Sequence, residues 1–133
     1  MTFTRETFKK AERLSSRKTI TKLFESGNTL FTDCFKVIWS DSETDSPFPA
    51  RIAFTVPKKR FRRAVTRNLL KRRIREAYRK NKSPFYKFLV SENIQIALMV
   101  IFRKDSVEEY NTLEKAVREM LGAVSTQIRK KRR

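Results

Sequence analysis

The spacing of apolar residues predicts a short helix near the start of the chain and a long helix at its end. Ile20, Leu23 and Phe24 share one helical face, which a preceding serine can cap and Gly27 can end. Apolar residues between positions 107 and 128 recur every three or four residues, which is the period of an amphipathic helix. Both helices are therefore expected to pack one face on a core.

Three other segments show the strand pattern, in which successive side chains point to opposite faces. Residues 29–40 and 51–56 each alternate bulky apolar positions with smaller or more polar ones, and a loop rich in Ser, Asp and Pro separates them. We expect these two strands to pair antiparallel across that loop. Residues 94–102 are almost continuously apolar, which is typical of a strand buried on both faces and central in its sheet. Residues 85–90 are ambiguous between helix and strand.

The most basic stretch of the chain, residues 58–82, contains 13 Lys or Arg residues and one acidic residue among 25. A helix beginning near Val65 would have one apolar face and one charged face. The charged face would carry Asn68, Lys71, Arg72, Arg75 and Arg79. Like charges four residues apart cost roughly 0.2–0.5 kcal/mol per pair in an isolated helix. Because folding alone does not explain such stacking, the stripe indicates a polyanionic partner.

The predicted elements form one α+β domain, in which the basic helix crosses over to the central strand. The length of 133 residues is most simply a single domain, residues 1–133. Residues 1–14 and 129–133 are basic and are predicted to be flexible ends.

Composition narrows the function to nucleic-acid binding. The net charge of +18 points to a polyanion, and releasing counterions from RNA or DNA makes such binding favourable. An anionic membrane surface is the weaker alternative, because no apolar run is long enough to span a bilayer. The start of the chain also lacks an apolar signal-peptide core. These features predict a cytoplasmic protein that does not bind membranes.

Few residues offer catalytic chemistry. The chain has no histidine, which is the commonest general base and metal ligand. Cys34 is the only cysteine, so no intramolecular disulfide can form. A carboxylate metal pair is possible from Asp41, Glu43 and Asp45, but acids in a Ser-rich loop are more often a solvated connection. A protein-only nuclease would need a carboxylate cluster, and the sequence does not indicate one. We therefore predict no catalytic residue and no metal site.

The passage IAFTVPKKRFRRAVTRNLLKRRIREAY, residues 52–78, resembles the hallmark of a known family, the protein subunit of bacterial ribonuclease P. The shared pattern is a strand ending in two lysines, followed by Ala-Val, Arg-Asn, Lys-Arg and Arg-Glu at fixed spacing. The resemblance implies a two-layer αβββαβα sandwich with a mixed sheet, related to a ribosomal-protein domain. It also implies a left-handed βαβ crossover around the basic helix, which is the exception to the usual hand.

The resemblance further implies two RNA-binding sites. Members of the family assist a catalytic RNA that removes the 5′ leader from precursor tRNA, with Mg²⁺ bound mainly by the RNA and no cofactor intrinsic to the protein. The family motif maps the contacts with the catalytic RNA to Arg67, Asn68, Lys71, Arg72 and Arg75. By position, the cleft for the single-stranded leader includes Ile20, Phe24, Lys36, Ile38, Thr55 and Lys59.

Three features depart from the family pattern, one being that the glycine typical of the loop before Ala64 is absent and residues 59–64 are one residue longer. Leu69 stands where the family usually has Arg, and Ile20 and Ile38 stand where it has aromatic residues of the leader cleft. An aliphatic residue in place of an aromatic one weakens base stacking, which is worth roughly 1–3 kcal/mol per base. The resulting prediction is the protein subunit of an endoribonuclease, with ribonuclease P RNA and precursor tRNA as partners. A ribosomal or other structural RNA-binding protein of similar fold is the alternative.

Overall fold

The computed structural model of the chain describes residues 8–42 and 46–132. A short 3-10 turn, Lys10–Glu12, precedes the first helix. The helices are α1 (Arg17–Ser26), α2 (Ala64–Asn81), α3 (Ser83–Ser91) and α4 (Tyr110–Lys131). The strands are β1 (Asn28–Phe31), β2 (Phe35–Asp41), β3 (Ala50–Thr55) and β4 (Ile96–Phe102). The predicted α+β class is confirmed, and the order differs from αβββαβα by one added helix, α3.

The four strands form one mixed sheet in the order β1-β2-β4-β3. The predicted antiparallel pairing of β2 with β3 is wrong, because β4 lies between them, antiparallel to β2 and parallel to β3. β4 takes the central place because both of its faces are apolar and six of its seven residues are buried. The chain crosses from β3 to β4 through α2 and α3, and the left hand of this crossover stays a prediction.

Residues 29–40, predicted as one strand, form two strands with a tight turn between them. The backbone N–H of Thr32 donates to Phe35 O at 2.8 Å, and the hydroxyl of Thr32 accepts from Phe35 N at 3.2 Å. A side chain that supplies hydrogen bonds in place of a strand ladder favours such a turn. β1 therefore folds back on β2 as an antiparallel hairpin.

Residues at the helix ends determine where α1 begins and ends and where α2 stops. The Ser16 hydroxyl accepts from Thr19 N at the start of α1, and Gly27 ends that helix with a backbone bond to Leu23 O at 2.8 Å. Pro84 lies in the first turn of α3, where the missing N–H of proline is tolerated, and it prevents α2 from continuing. The ambiguous residues 85–90 therefore belong to a separate helix.

The sheet has a large core on one face and a small one on the other. The alternate side chains of β2 and β4, such as Val37 and Leu98, pack in the large core with α2, α3 and α4. The opposite face is covered in part by α1, whose Leu23 packs on Ile38 and Met99. Because α1 has only ten residues, it leaves one end of this face uncovered.

The described residues near the two ends contact the rest of the domain or continue a helix. Leu14 donates its backbone N–H to Ile52 O at 2.9 Å, and the side chains of Glu12 and Leu14 are buried. Residues 8–14 are therefore in contact with the sheet, and the flexibility of the two ends stays a prediction. α4 likewise continues through Lys131, so residues 129–131 are helical. Residues 1–7 and 133 lie outside the described part of the chain.

Candidate nucleic-acid interface

Helix α2 presents the basic motif away from the core. Its buried residues are Leu70, Ile74, Ala77 and Tyr78. The side chains of the predicted stripe are exposed at Asn68, Arg72 and Arg75 and half-buried at Lys71 and Arg79. The predicted division into an apolar face and a charged face is confirmed.

The stripe divides further by what its side chains contact. Arg79 is paired with Glu76, through Nε to Oε2 at 3.0 Å and Nη2 to Oε1 at 2.6 Å, and this bond lowers the pKa of the Glu76 carboxyl. Arg73, off the stripe, donates to Glu108 O at 2.6 Å. Within residues 8–42 and 46–132, no hydrogen bond or ion pair engages the side chains of four predicted RNA-binding residues, Asn68, Lys71, Arg72 and Arg75.

Arg67, the fifth predicted RNA-binding residue, has a structural contact that the sequence did not indicate. Its Nη1 donates to Phe61 O and to Arg62 O, both at 2.8 Å. Phe61 in turn packs its buried ring against Phe102, with 6.1 Å between centroids. Arg67 therefore holds the end of the loop that joins β3 to α2.

The first turn of α2 is suited to an anion. Its N-cap residue, Arg63, makes no side-chain capping bond, and the turn contains no acidic residue. Backbone N–H groups at a helix N-terminus attract phosphate, and the neighbouring Arg62 and Arg63 side chains are exposed. The loop and the stripe therefore both place basic side chains along α2, an arrangement that suits phosphate groups.

The predicted leader cleft lies on the sheet face that α1 occupies. Lys36 on β2 and Thr55 on β3 both pair with Ile101 on β4, so three strands place these side chains in one row. A cleft of about 650 Å³ continues from this row to the end of the sheet. Its lining includes Lys36, Lys59, Arg60, Ile101, Arg103 and Asp105. The basic side chains outnumber the acidic one, which suits an anionic ligand.

The two residues predicted on α1 differ in exposure. Phe24 is 57% exposed and so presents its ring to solvent, whereas Ile20 is half-buried against the small core. Ile38, predicted in the cleft, is only 4% exposed because the end of α1 covers it. Ile38 therefore supports α1 from below and contributes no open surface. Leu69, at the position where the family has Arg, is half-buried on α2.

Phe31 is a cleft residue that sequence reasoning missed. It is 60% exposed and lies in the lining of the cleft beside Lys36, its strand partner. In a single strand over residues 29–40, Phe31 would share the buried side of Phe35 and Val37. The turn at Thr32 reverses the chain and places Phe31 on the face of Lys36 instead. The turn at Thr32 is the signal from which the exposed position of Phe31 could have been predicted.

Within 8–42 and 46–132, no group of three or more His, Cys, Asp and Glu residues could hold a metal ion. Glu43 and Asp45, two of the three acidic residues considered for a metal pair, lie outside those residues. Among the helices that the structure describes, none combines the length and apolar character needed to span a bilayer.

Comparison with known proteins gives consistent sequence matches. Residues 8–125 match the model of a protein family described as Ribonuclease P. The ribonuclease P protein component of Porphyromonas gingivalis is 32% identical to the chain over 112 residues, covering 84% of the chain and 82% of that protein. The component of Petrotoga mobilis is 44% identical over 80 residues, covering 60% of the chain and 64% of that protein.

Solved structures share the fold. The RNase P protein from Thermotoga maritima superposes with a TM-score of 0.66 at 25% identity, covering 83% of this chain and 94% of that one. The RNase P protein of Staphylococcus aureus superposes with a TM-score of 0.68 at 22% identity, covering 86% of this chain and 96% of that one. The architecture of the sheet and helices is therefore one that other proteins also adopt.

Proposed function

The chain belongs to the ribonuclease P protein family, and from this premise we propose that it works by holding two RNAs at once. As a member, it is the protein subunit of an endoribonuclease holoenzyme that matures the 5′ end of tRNA. We propose that α2 binds the ribonuclease P RNA and that the cleft beside α1 binds the leader of precursor tRNA. The chemistry is then assigned to the RNA subunit.

The observation that carries this proposal is the set of uncommitted polar side chains on α2. Asn68, Lys71, Arg72 and Arg75 project from a helix that the core holds rigidly, while Arg73 and Arg79 are engaged by protein groups. Guanidinium groups match phosphate oxygens in pairs, and neutralising phosphates releases counterions. This surface therefore suits the phosphate backbone of a folded RNA. Its binding would not depend on the base sequence of that RNA.

The leader assignment is supported by the position of the cleft. Lys36, Thr55 and Lys59 lie on or next to the open sheet face, and the α2 stripe lies on the helix layer. An extended single strand can cross the strands of a sheet when basic groups contact its phosphates and aromatic rings contact its bases. Phe24 supplies one such ring on α1.

The division of labour follows from the residue types. Hydrolysis of a phosphodiester at neutral pH needs a general base or an activated water, and the chain has no histidine. We propose that Mg²⁺, bound mainly by the RNA subunit, supplies this chemistry. The buried free thiol of Cys34 agrees with the reducing conditions of the cytoplasm, where we place the protein.

The test is reconstitution. Purified protein added to ribonuclease P RNA at low Mg²⁺ is expected to restore cleavage of precursor tRNA, because added positive charge offsets repulsion between two RNAs. Protein alone is expected to leave the substrate intact. No stimulation at any protein concentration, together with co-purification with ribosomal subunits, would instead support the alternative of a structural ribosomal protein.

A further inference from the structure

Phe31 combines an exposed ring with two nearby cations. The Lys36 Nζ lies 5.8 Å from the ring centroid and the Arg103 Cζ lies 5.1 Å from it. With both cations in place the residue is still 60% exposed, so a ring surface remains open to a ligand. Single exposed apolar residues are common on protein surfaces. An exposed aromatic residue beside two cations in a cleft is a more specific arrangement.

The arrangement is held in place by the backbone around it. Arg103 donates from Nη1 to Thr32 O at 2.7 Å, and its backbone N–H donates to Cys34 O at 2.9 Å. Lys104 pairs with Asp33 at 2.9 Å across the same turn. The end of β4 and the β1–β2 turn are therefore joined, and Arg103 is fixed beside Phe31. A ligand meets a preformed site and loses little free energy in ordering it.

We propose that Phe31 stacks on a base of single-stranded RNA, with Lys36 and Arg103 contacting the phosphates on either side. The inference rests on the proposed function, since the RNA would be the 5′ leader. The leader would run from the row of Lys36, Ile101 and Thr55 towards Phe31. The leader-binding surface then extends across the sheet to its edge strand, β1. A base stacked there partly compensates for the aliphatic side chains of Ile20 and Ile38, which cannot stack on bases.

The charge of the cleft favours RNA over a protein partner. Four of its lining residues are basic, at Lys36, Lys59, Arg60 and Arg103, and Asp105 is paired with Arg60 at 2.6 Å. A second copy of the chain would bring like charge to the same place. Stacking between an aromatic ring and a base is sequence-tolerant, which suits leaders of differing sequence.

The test compares Phe31→Leu with the wild type and a control variant in the reconstituted holoenzyme. Leucine keeps apolar volume but cannot stack, so affinity for precursor tRNA with a long leader is expected to fall at least about fivefold. Affinity for a substrate with a one-nucleotide leader is expected to stay the same. Val90→Ala, at an exposed apolar residue on α3, is the control and should change neither affinity.

An abasic scan of the leader locates the contact. Removing the base that stacks on Phe31 should weaken binding to the wild-type holoenzyme and have no further effect on Phe31→Leu, so the two changes are not additive. In one outcome, the wild-type holoenzyme binds long-leader substrates more tightly than short-leader ones and Phe31→Leu binds the long-leader substrate equally well. That result would overturn the inference about Phe31 and leave the proposed function standing. A wild type that never stimulates cleavage would overturn the proposed function. A dimer of the wild type in light scattering that Phe31→Leu abolishes would assign the ring to self-association and also overturn the inference.

Discussion

Lys82 and Glu12 form an ion pair across 70 residues of sequence, with side chains that are 3% and 0% exposed. The Tyr86 hydroxyl donates to the same carboxylate oxygen of Glu12 at 2.7 Å, and the Tyr78 hydroxyl donates to Tyr86 at 2.9 Å. Burial raises the pKa of both tyrosines, so their hydroxyls stay protonated and able to donate. The pair binds the N-terminal 3-10 turn to the junction of α2 and α3.

Removing one partner of this pair should destabilise the fold strongly. Lys82→Met leaves the Glu12 carboxylate buried without its cation, and we expect a loss of about 3–5 kcal/mol in the free energy of unfolding. Urea denaturation measures this loss, with Lys87→Met on the exposed face of α3 as the control. The double variant Glu12→Leu with Lys82→Met should recover part of the loss. A midpoint for Lys82→Met equal to that of the control would contradict the assigned role.

The two glycines of the chain should respond oppositely to alanine. A methyl group at Gly27 would come within 2.5 Å of Leu23 O and 2.6 Å of Ile38 Cγ2, which forces α1 away from the sheet. We expect Gly27→Ala to cost about 1–3 kcal/mol of stability. Gly122 has nothing within 4 Å of the added methyl, so Gly122→Ala should stabilise α4 by about 0.5–1 kcal/mol. Thermal unfolding of both variants checks the opposite signs, and equal shifts would refute the packing of α1.

The double variant Arg72→Ala with Arg75→Ala should weaken binding to ribonuclease P RNA, most strongly at low salt. Each phosphate contact removed should reduce the slope of log affinity against log salt by about one. Filter binding over a salt titration measures this slope. Lys87→Ala with Lys115→Ala removes the same charge from exposed positions on α3 and α4 and should affect it less. Equal slopes for the two double variants would assign binding to net charge and not to α2.

Phe24→Ala should act on the substrate and leave holoenzyme assembly unchanged. The exposed ring on α1 is expected to stack on a leader base, an interaction worth roughly 1–3 kcal/mol. The Michaelis constant for precursor tRNA with a long leader should therefore rise, while the dissociation constant for ribonuclease P RNA stays the same. A comparable rise for a substrate with a one-nucleotide leader would show that the effect does not arise in the cleft.

The parts of the fold that the sequence predicted are those determined by neighbouring residues. Gly27 ends α1 as expected, and the charged and apolar faces of α2 follow from its period. The nearly continuous apolar run of β4 was enough to place it in the centre of the sheet. Each of these features depends on the identity and spacing of residues close together in the chain.

The features that were missed depend on contacts between distant residues. β2 pairs with β4 and not with β3. The alternation of residues within a strand predicts which face is buried, but it does not determine which strand is the neighbour. The exposure of Phe31 depends on the Thr32 turn, and the burial of Glu12 depends on Lys82. Arg67 was predicted as an RNA contact from the family motif, and its two bonds to the preceding loop became visible only in three dimensions.

The central position of β4 determines when the protein can fold during synthesis. β4 is the last strand to leave the ribosome, and both β2 and β3 need it as their neighbour. Before residue 102 emerges, the strands already made can form only the β1–β2 hairpin, and isolated hairpins are marginally stable in water. The basic segment is therefore synthesised before the sheet on which α2 packs can be completed.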